Sequence, residues 1–410
     1  MKLVKMSLAA AVLLGASAFA IDNVKVSGDA KLFYGTDDHG TYSMLDKDSS
    51  YADTAVRVGV SGDLLKGVSF GLTGYGVSTL GLENNLVSGI WSGAHTITPA
   101  NANTAFGNPH TVDSTGVQVN DAAWLGEAWL ATTLGKTTAK IGRMTLDTPL
   151  AFTETWNIAP NTFEAAVLIN QDIPDTTLVG AWVGKGNGGA GVVGSKGTFN
   201  TFVTDGAYAA AIVNNSFKPL VAQAWYYNVV NVADAYWLQA DWDCQLIKGV
   251  KVGAQYADMS PKGWVGSATP DSKAWAAKLA FAGVENLNVS AAYSSVDNDG
   301  ALKVQNVATD LQGAAQSKLY TETWWTYGEV GAPSADSWNL TAEYDAKNIA
   351  KLGAYYTHTK NSNNDYRMNE LAVTATKSFG PLDATLAYIN TDFSDTDSVN
   401  TLQAYLTLNF

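Results

Sequence analysis

Asp234-Ala235-Tyr236-Trp237-Leu238-Gln239-Ala240-Asp241-Trp242-Asp243-Cys244-Gln245-Leu246 separates cleanly by parity. Even positions give Tyr236, Leu238, Ala240, Trp242, Cys244 and Leu246, and odd positions give Trp237, Gln239, Asp241, Asp243 and Gln245. A period of two with one apolar and one polar face is the pattern of a β-strand between two unlike environments. The same separation holds for Leu287, Val289, Ala291 and Tyr293 against Asn288, Ser290 and Ser294, and for Trp338, Leu340, Ala342 and Tyr344 against Asn339, Thr341, Glu343 and Asp345. It returns at both ends. Val24 to Tyr34 alternates with Lys25, Ser27, Asp29 and Lys31, and Leu402, Ala404, Leu406, Leu408 and Phe410 alternate with Gln403, Tyr405, Thr407 and Asn409.

Such segments predict about eighteen strands, at 24–35, 52–64, 67–79, 121–134, 137–146, 161–171, 175–185, 206–215, 218–228, 234–246, 249–259, 271–283, 286–297, 336–346, 350–359, 366–379, 382–392 and 398–410. Their connections alternate in length. Short turns such as Leu65-Lys66, Gly135-Lys136, Ile247-Lys248 and Gly380-Pro381 are separated by longer polar connections, the longest near 80–120 and 298–335. Short turns at one end, long loops at the other and about ten residues per strand describe a transmembrane antiparallel β-barrel with short periplasmic turns and long extracellular loops. An even strand number puts both termini on the short-turn side.

Composition supports a barrel over a secreted β-sandwich. Only 15% of residues are charged, so the polar face is mostly Ser, Thr, Asn and Gln, whereas the outer face of a sandwich carries Lys and Glu freely. The apolar faces are Ala, Gly, Val and Leu with aromatics toward strand ends, which suits a lipid-facing band between interfacial girdles. Hydrocarbon admits only a closed β arrangement, because every backbone group needs a partner and no edge can stay open.

At the start of the chain, Lys2 and Lys5 precede the apolar run Leu8–Ala16, and Ala18-Phe19-Ala20 supplies small cleavage residues. Residues 1–20 read as a secretory signal peptide and 21–410 as one barrel domain. Removing two Lys takes the formal charge from −13 to −15. With 25 basic against 38 acidic residues, no nucleic-acid partner is expected. The single Cys244 excludes an intrachain disulfide framework, and it falls on the apolar parity as a small filler.

Between 137 and 181 the words become specific: Lys140-Ile141-Gly142-Arg143, Leu146-Asp147-Thr148-Pro149-Leu150, Ala159-Pro160-Asn161-Thr162-Phe163-Glu164-Ala165-Ala166, and Asp172-Ile173-Pro174-Asp175-Thr176-Thr177-Leu178-Val179-Gly180-Ala181. They resemble the Campylobacter-type major outer membrane porins and the wider family of eighteen-stranded outer-membrane channels. That resemblance implies a homotrimer in the bacterial outer membrane, among its lipid and lipopolysaccharide. Each water-filled pore would be narrowed by an inward constriction loop and pass ions and small hydrophilic solutes. It also implies a calcium ion near the constriction, with Asp147 as its ligand.

Charges ringing the narrowest point set a pore's selectivity. The basic candidates are Arg57, Arg143 and Lys140; the acidic ones are Asp147 and Glu154 in the segment 147–160, together with Glu127 and Glu164. Arg143 leads, because both the resemblance and the parity of its strand, which puts it in the lumen just before the inward loop, point to it. The plain alternative for each is a solvated wall charge. Leu406, Leu408 and Phe410 match the C-terminal strand signal by which outer-membrane barrels are recognised for assembly.

Other chemistry finds little footing. The pairs Asp46/Asp48, Asp241/Asp243, Asp297/Asp299 and Asp395/Asp397 read as hydrated acidic loops, and Gly300 is misplaced for an EF-hand. His39, His95, His110 and His358 lie in loops or at a strand end beside no nucleophile motif, so no enzyme is expected. Two rival functions remain: a substrate-specific outer-membrane channel, and a surface adhesin using Trp91, Trp324 and Trp325 of the long loops.

Overall fold

A computed structural model describes residues 21–84, 86–98, 118–188, 196–201, 203–266, 269–309 and 315–410. The expected signal peptide (1–20) and His110 lie outside the described residues.

Eighteen long strands follow one another around a closed ring. They are β1 Asp22–Asp37, β2 Ser50–Leu65, β3 Val68–Ser78, β4 Ala122–Leu134, β5 Thr137–Met144, β6 Phe163–Asn170, β7 Thr176–Gly186, β8 Ala207–Asn214 and β9 Leu220–Val229. The second half comprises β10 Ala233–Asp243, β11 Val250–Pro261, β12 Ser272–Val284, β13 Leu287–Val296, β14 Ala335–Asp345, β15 Lys351–Asn361, β16 Tyr366–Phe379, β17 Leu382–Phe393 and β18 Val399–Asn409. Each pairs antiparallel with its sequence neighbours, and β1 pairs with β18 from Asp29↔Asn409 to Asp37↔Thr401. No edge is left, which is the condition for crossing hydrocarbon with strands.

Phe410 seals the seam. Its N–H donates to Gly28 O at 2.9 Å, and Gly28 N–H donates to Phe410 O at 2.9 Å. The Phe410 ring lies over Gly28 so closely that a Cβ there would fall 2.5 Å from it, so this position requires glycine.

At the end holding both termini the connections are tight. Gly135 (φ 61°) and Gly380 (φ 63°) supply the left-handed conformation that two-residue hairpins demand. The strand expected at 234–246 stops at Asp243, where the chain turns and Cys244 N–H donates to Val250 O at 2.9 Å. Cys244, just past the strand, carries the pairing one step beyond Asp243↔Lys251 and is half-buried.

The outward faces carry the band foreseen from composition. Large apolar side chains such as Leu72, Leu130, Ile141, Leu238, Leu279 and Leu340 are exposed there. Toward the long-loop end they give way to a belt including Trp182, Tyr208, Tyr236, Trp275, Tyr293 and Trp338. Several belt hydroxyls point toward that end: Tyr226 donates to Asp234 at 2.9 Å and Tyr293 to Asp336 at 3.0 Å. Apolar ring toward hydrocarbon and hydroxyl toward water is the arrangement that places such residues at an interface.

Candidate pore constriction

Three long connections turn inward. Residues 145–162 leave β5 as a hairpin: Thr153 N–H donates to Leu146 O at 2.8 Å, and Thr148 hydroxyl donates to Ala151 O at 2.7 Å. Its tip, Leu150, crosses to the far wall and packs with Trp225, Trp237 and Met259, together with Val304 and Leu319 of the 297–334 connection. Trp237 is 0% exposed although it stands on the lumen parity. The polar face read from sequence was expected to meet water, but here it meets an inserted loop. The return limb, Ile158 and Ala159, packs instead against Phe33, Tyr51, Tyr75 and Trp91 beside β1–β3.

The 297–334 connection runs down the inner wall. Tyr320 N–H donates to Gln255 Oε1 at 3.0 Å, and its hydroxyl donates to Asp241 at 2.7 Å. Farther on, Glu370 of β16 accepts the backbone N–H groups of Trp324, Trp325 and Thr326 at 2.7, 2.9 and 2.6 Å. Trp91 (2% exposed) stacks on Trp325 with ring centroids 5.1 Å apart. These tryptophans pack inside the barrel, which removes the anchors proposed for an adhesive outer surface.

The loop acid Glu322 accepts N–H bonds from Ser317 and Thr323. Burial nevertheless pushes its carboxyl up to about 8.

Two anchors lock the inward loops together. Glu154, 5% exposed, accepts from Asn306 Nδ2 at 2.8 Å, Thr309 Oγ1 at 2.6 Å, Gln316 N at 3.2 Å and Trp156 Nε1 at 2.6 Å. Asn306 also accepts from Phe152 N at 3.1 Å and donates to Phe152 O at 2.9 Å. Glu154 is thus a buried clamp and not a pore-lining charge. The third connection, between β3 and β4, is held by His95, which the sequence places only in a loop. Its Nε2 lies 3.1 Å from both Asp53 oxygens, and Nδ1 lies 2.8 Å from Asn120 O. Burial pulls the His95 pKa down, but the hydrogen bond and charge of Asp53 outweigh it and leave it above the ordinary value.

The remaining expected charges divide between the two faces. Arg57 is on the inner wall, donating from Nε to Asp29 at 2.6 Å. Glu127 is there too, accepting from Thr73 at 3.2 Å, and Lys140 lies 4.1 Å from the Trp129 ring centroid. Asp147 is 86% exposed and meets Lys318 of the 297–334 loop at 2.9 Å.

Arg143 and Glu164 face the other way. Glu164 alternates with Phe163 and Ala165, which are buried against the inserted Ala308, and Arg143 follows Ile141, which is 62% exposed on the lipid side. The leading constriction candidate is therefore an outer-wall residue. The parity of this short strand was read from its neighbours in sequence, whereas the cross-strand register Arg143↔Glu164 and Ile141↔Ala166 decides it.

Asp147 has a cation beside it, and no group of three His, Cys, Asp or Glu gathers among the described residues. The residues present do not fit the calcium ion implied by the resemblance. Sequence reasoning missed Lys318, Asn306 and Glu370. A signal was available in the apolar and aromatic content of the 298–335 connection (Val304, Leu319, Trp324, Trp325), which is unusual for a loop standing in water.

A family model described as "outer membrane porin, OprD family" matches residues 21–370. No curated protein sequence matches the chain. Among solved structures, Pseudomonas aeruginosa OccK8 (OprE) is similar with a TM-score of 0.74 at 15% identity, covering 95% of this chain and 98% of that one. Acinetobacter baumannii OccAB3 gives 0.69 at 13%, covering 95% and 98%. Pseudomonas aeruginosa OpdK, solved with vanillate, gives 0.68 at 13%, also covering 95% and 98%.

Proposed function

The chain belongs to the OprD family of outer membrane porins, and on that premise we propose that it selects small hydrophilic solutes and ions where its two deepest loops meet. The observation that carries this reading is the water-facing pair of Asp147 and Lys318, one from each loop. A charge in a confined passage acts on a permeating ion far more strongly than one in bulk water. Lys31, Arg57 and Lys140 stand on the inner wall with Asp29, which pairs with Arg57, and with Glu127, so three cations against two carboxylates leave that wall one positive charge in excess.

A substrate-selective channel is favoured over a wide general pore because three inward connections, not one, fill the lumen with packed side chains. We take a small carboxylate such as vanillate as the first solute to try, since the wall cations offer it a path. Liposome swelling with a graded series of sugars and carboxylates tests this. A carboxylate entering faster than a neutral solute of its size supports selectivity; entry rates ordered by size alone contradict it.

The finer likeness to Campylobacter-type porins, and the homotrimer that comes with it, rests on the 137–181 segment. Heat-dependent gel mobility reads the assembly: an unheated band at three chain masses supports the trimer, and one at a single chain mass contradicts it. Catalysis has no part in this proposal.

A further inference from the structure

On the lipid side of β4 to β9 the wall is hollowed. Ala139, Ala166, Gly180 and Ala210 form the floor, and Leu130, Ile141, Leu168, Trp182, Tyr208 and Tyr226 rise around it. The groove encloses about 760 Å³ with an almost wholly apolar lining. A Cβ built on Gly180 meets no atom within 4 Å, so the floor there is open.

Directly toward the long-loop end, and on the same outer face, stands a charged trio. Arg143 is two residues beyond Ile141 and Glu164 two beyond Ala166, about 7 Å farther along the strands. Arg143 Nε lies 3.1 Å from Glu164 Oε1, and Lys185 Nζ lies 3.8 Å from Glu164 Oε2. The Phe199 ring sits 4.0 Å from the Arg143 guanidinium carbon, yet all three charged side chains stay one third to one half exposed. Two cations against one carboxylate leave the cluster net positive, at the level where the aromatic belt ends. Lipid-facing charge is costly in hydrocarbon and tolerated at the interface, where headgroups begin.

An anion at the interface joined to hydrocarbon below it satisfies both halves of this surface. We propose that the β4–β9 wall binds one phosphorylated, multiply acylated glycolipid of the outer leaflet. Its phosphate would be held by Arg143 and Lys185, and an acyl chain would lie in the groove. Arg143 Nε is taken by Glu164 and Nη1 donates to Leu125 O at 3.0 Å, so the remaining guanidinium N–H groups, led by Nη2, are left for phosphate oxygens, and Lys185 adds a point charge. A second copy of the barrel fits less well, since a convex wall of Leu and aromatic side chains bridges a groove without filling it.

The test is lipid retention by the detergent-purified full-length protein, measured by native mass spectrometry with diphosphoryl lipid A and, separately, phosphatidylglycerol. The wild type should retain lipid A in preference to phosphatidylglycerol. Arg143→Gln with Lys185→Gln, and independently Gly180→Leu, should each weaken lipid A retention at least tenfold and leave phosphatidylglycerol unchanged. Gly180→Leu, which touches no pore residue, should keep the wild-type single-channel conductance, and that shows it folded. Equal retention of both lipids by the wild type, or full lipid A retention by either variant, overturns the proposal. So does a Gly180→Leu protein that changes oligomeric state with its lipid A retention intact, which would give the groove to a second copy.

Discussion

Lys318 Nζ lies 2.9 Å from Asp147 Oδ1, across 171 residues of sequence, and so ties the loop after β5 to the loop after β13 at a water-facing point. Exposed ion pairs contribute roughly 0.2–1 kcal/mol, so this one adds little to stability and acts through its field. Asp147→Asn should move the reversal potential in a salt gradient toward anions, and Lys318→Gln should move it toward cations. Both variants should melt within about 1 kcal/mol of the parent. Reversal potentials that do not respond to either substitution would remove this pair from the constriction.

The anchors beneath that pair are buried and behave differently. Glu370→Ala strips the acceptor from three backbone N–H groups of the 297–334 loop, and each buried donor left unpaired costs about 1–3 kcal/mol. The barrel ladder itself is untouched. The expected outcome is a folded barrel with larger, noisier conductance and faster hydrogen exchange at Trp324, Trp325 and Thr326. Glu154→Ala should free the 145–162 hairpin in the same way.

Glu322 gives the loop a pH dependence whose sign is fixed. With its pKa raised from 4.5 to about 8, the folded loop keeps a proton that the unfolded loop releases. Loop stability is then highest below about pH 4.5, falls as pH rises to about 8, and is flat beyond. Hydrogen exchange of the loop amides, corrected for intrinsic rate, should show that fall in the parent and lose it in Glu322→Gln. An unchanged slope in the variant would assign the dependence elsewhere.

At the seam, Gly28→Val places side-chain atoms where the Phe410 ring lies. The variant should assemble poorly, and so should Phe410→Ala, which keeps the backbone bonds but removes both the ring at the seam and the last residue of the assembly signal. Heat-modifiable gel mobility of outer-membrane fractions reads both. Normal yields of Gly28→Val would show that ring and glycine are not coupled in closure.

How far the sequence speaks depends on which partner a residue meets. Strands are local, so parity alone located all eighteen, as in Tyr236 against Trp237. The inserted loops are not local. Nothing near Trp237 in sequence says that Leu150 and Leu319 will cover it, and nothing near Glu154 announces Asn306. Arg143 shows the same limit within a strand: its own segment is eight residues long, and its facing is settled only by pairing with Glu164 on the next strand. The aromatic-rich 298–335 connection was the one legible hint of insertion.

Single-channel current in a planar bilayer under a salt gradient tests the central claim most directly, with the parent protein beside Asp147→Asn and Lys318→Gln. The account predicts stepwise openings whose reversal potentials shift in opposite directions in the two variants. Folded, inserted protein that passes no current would contradict it.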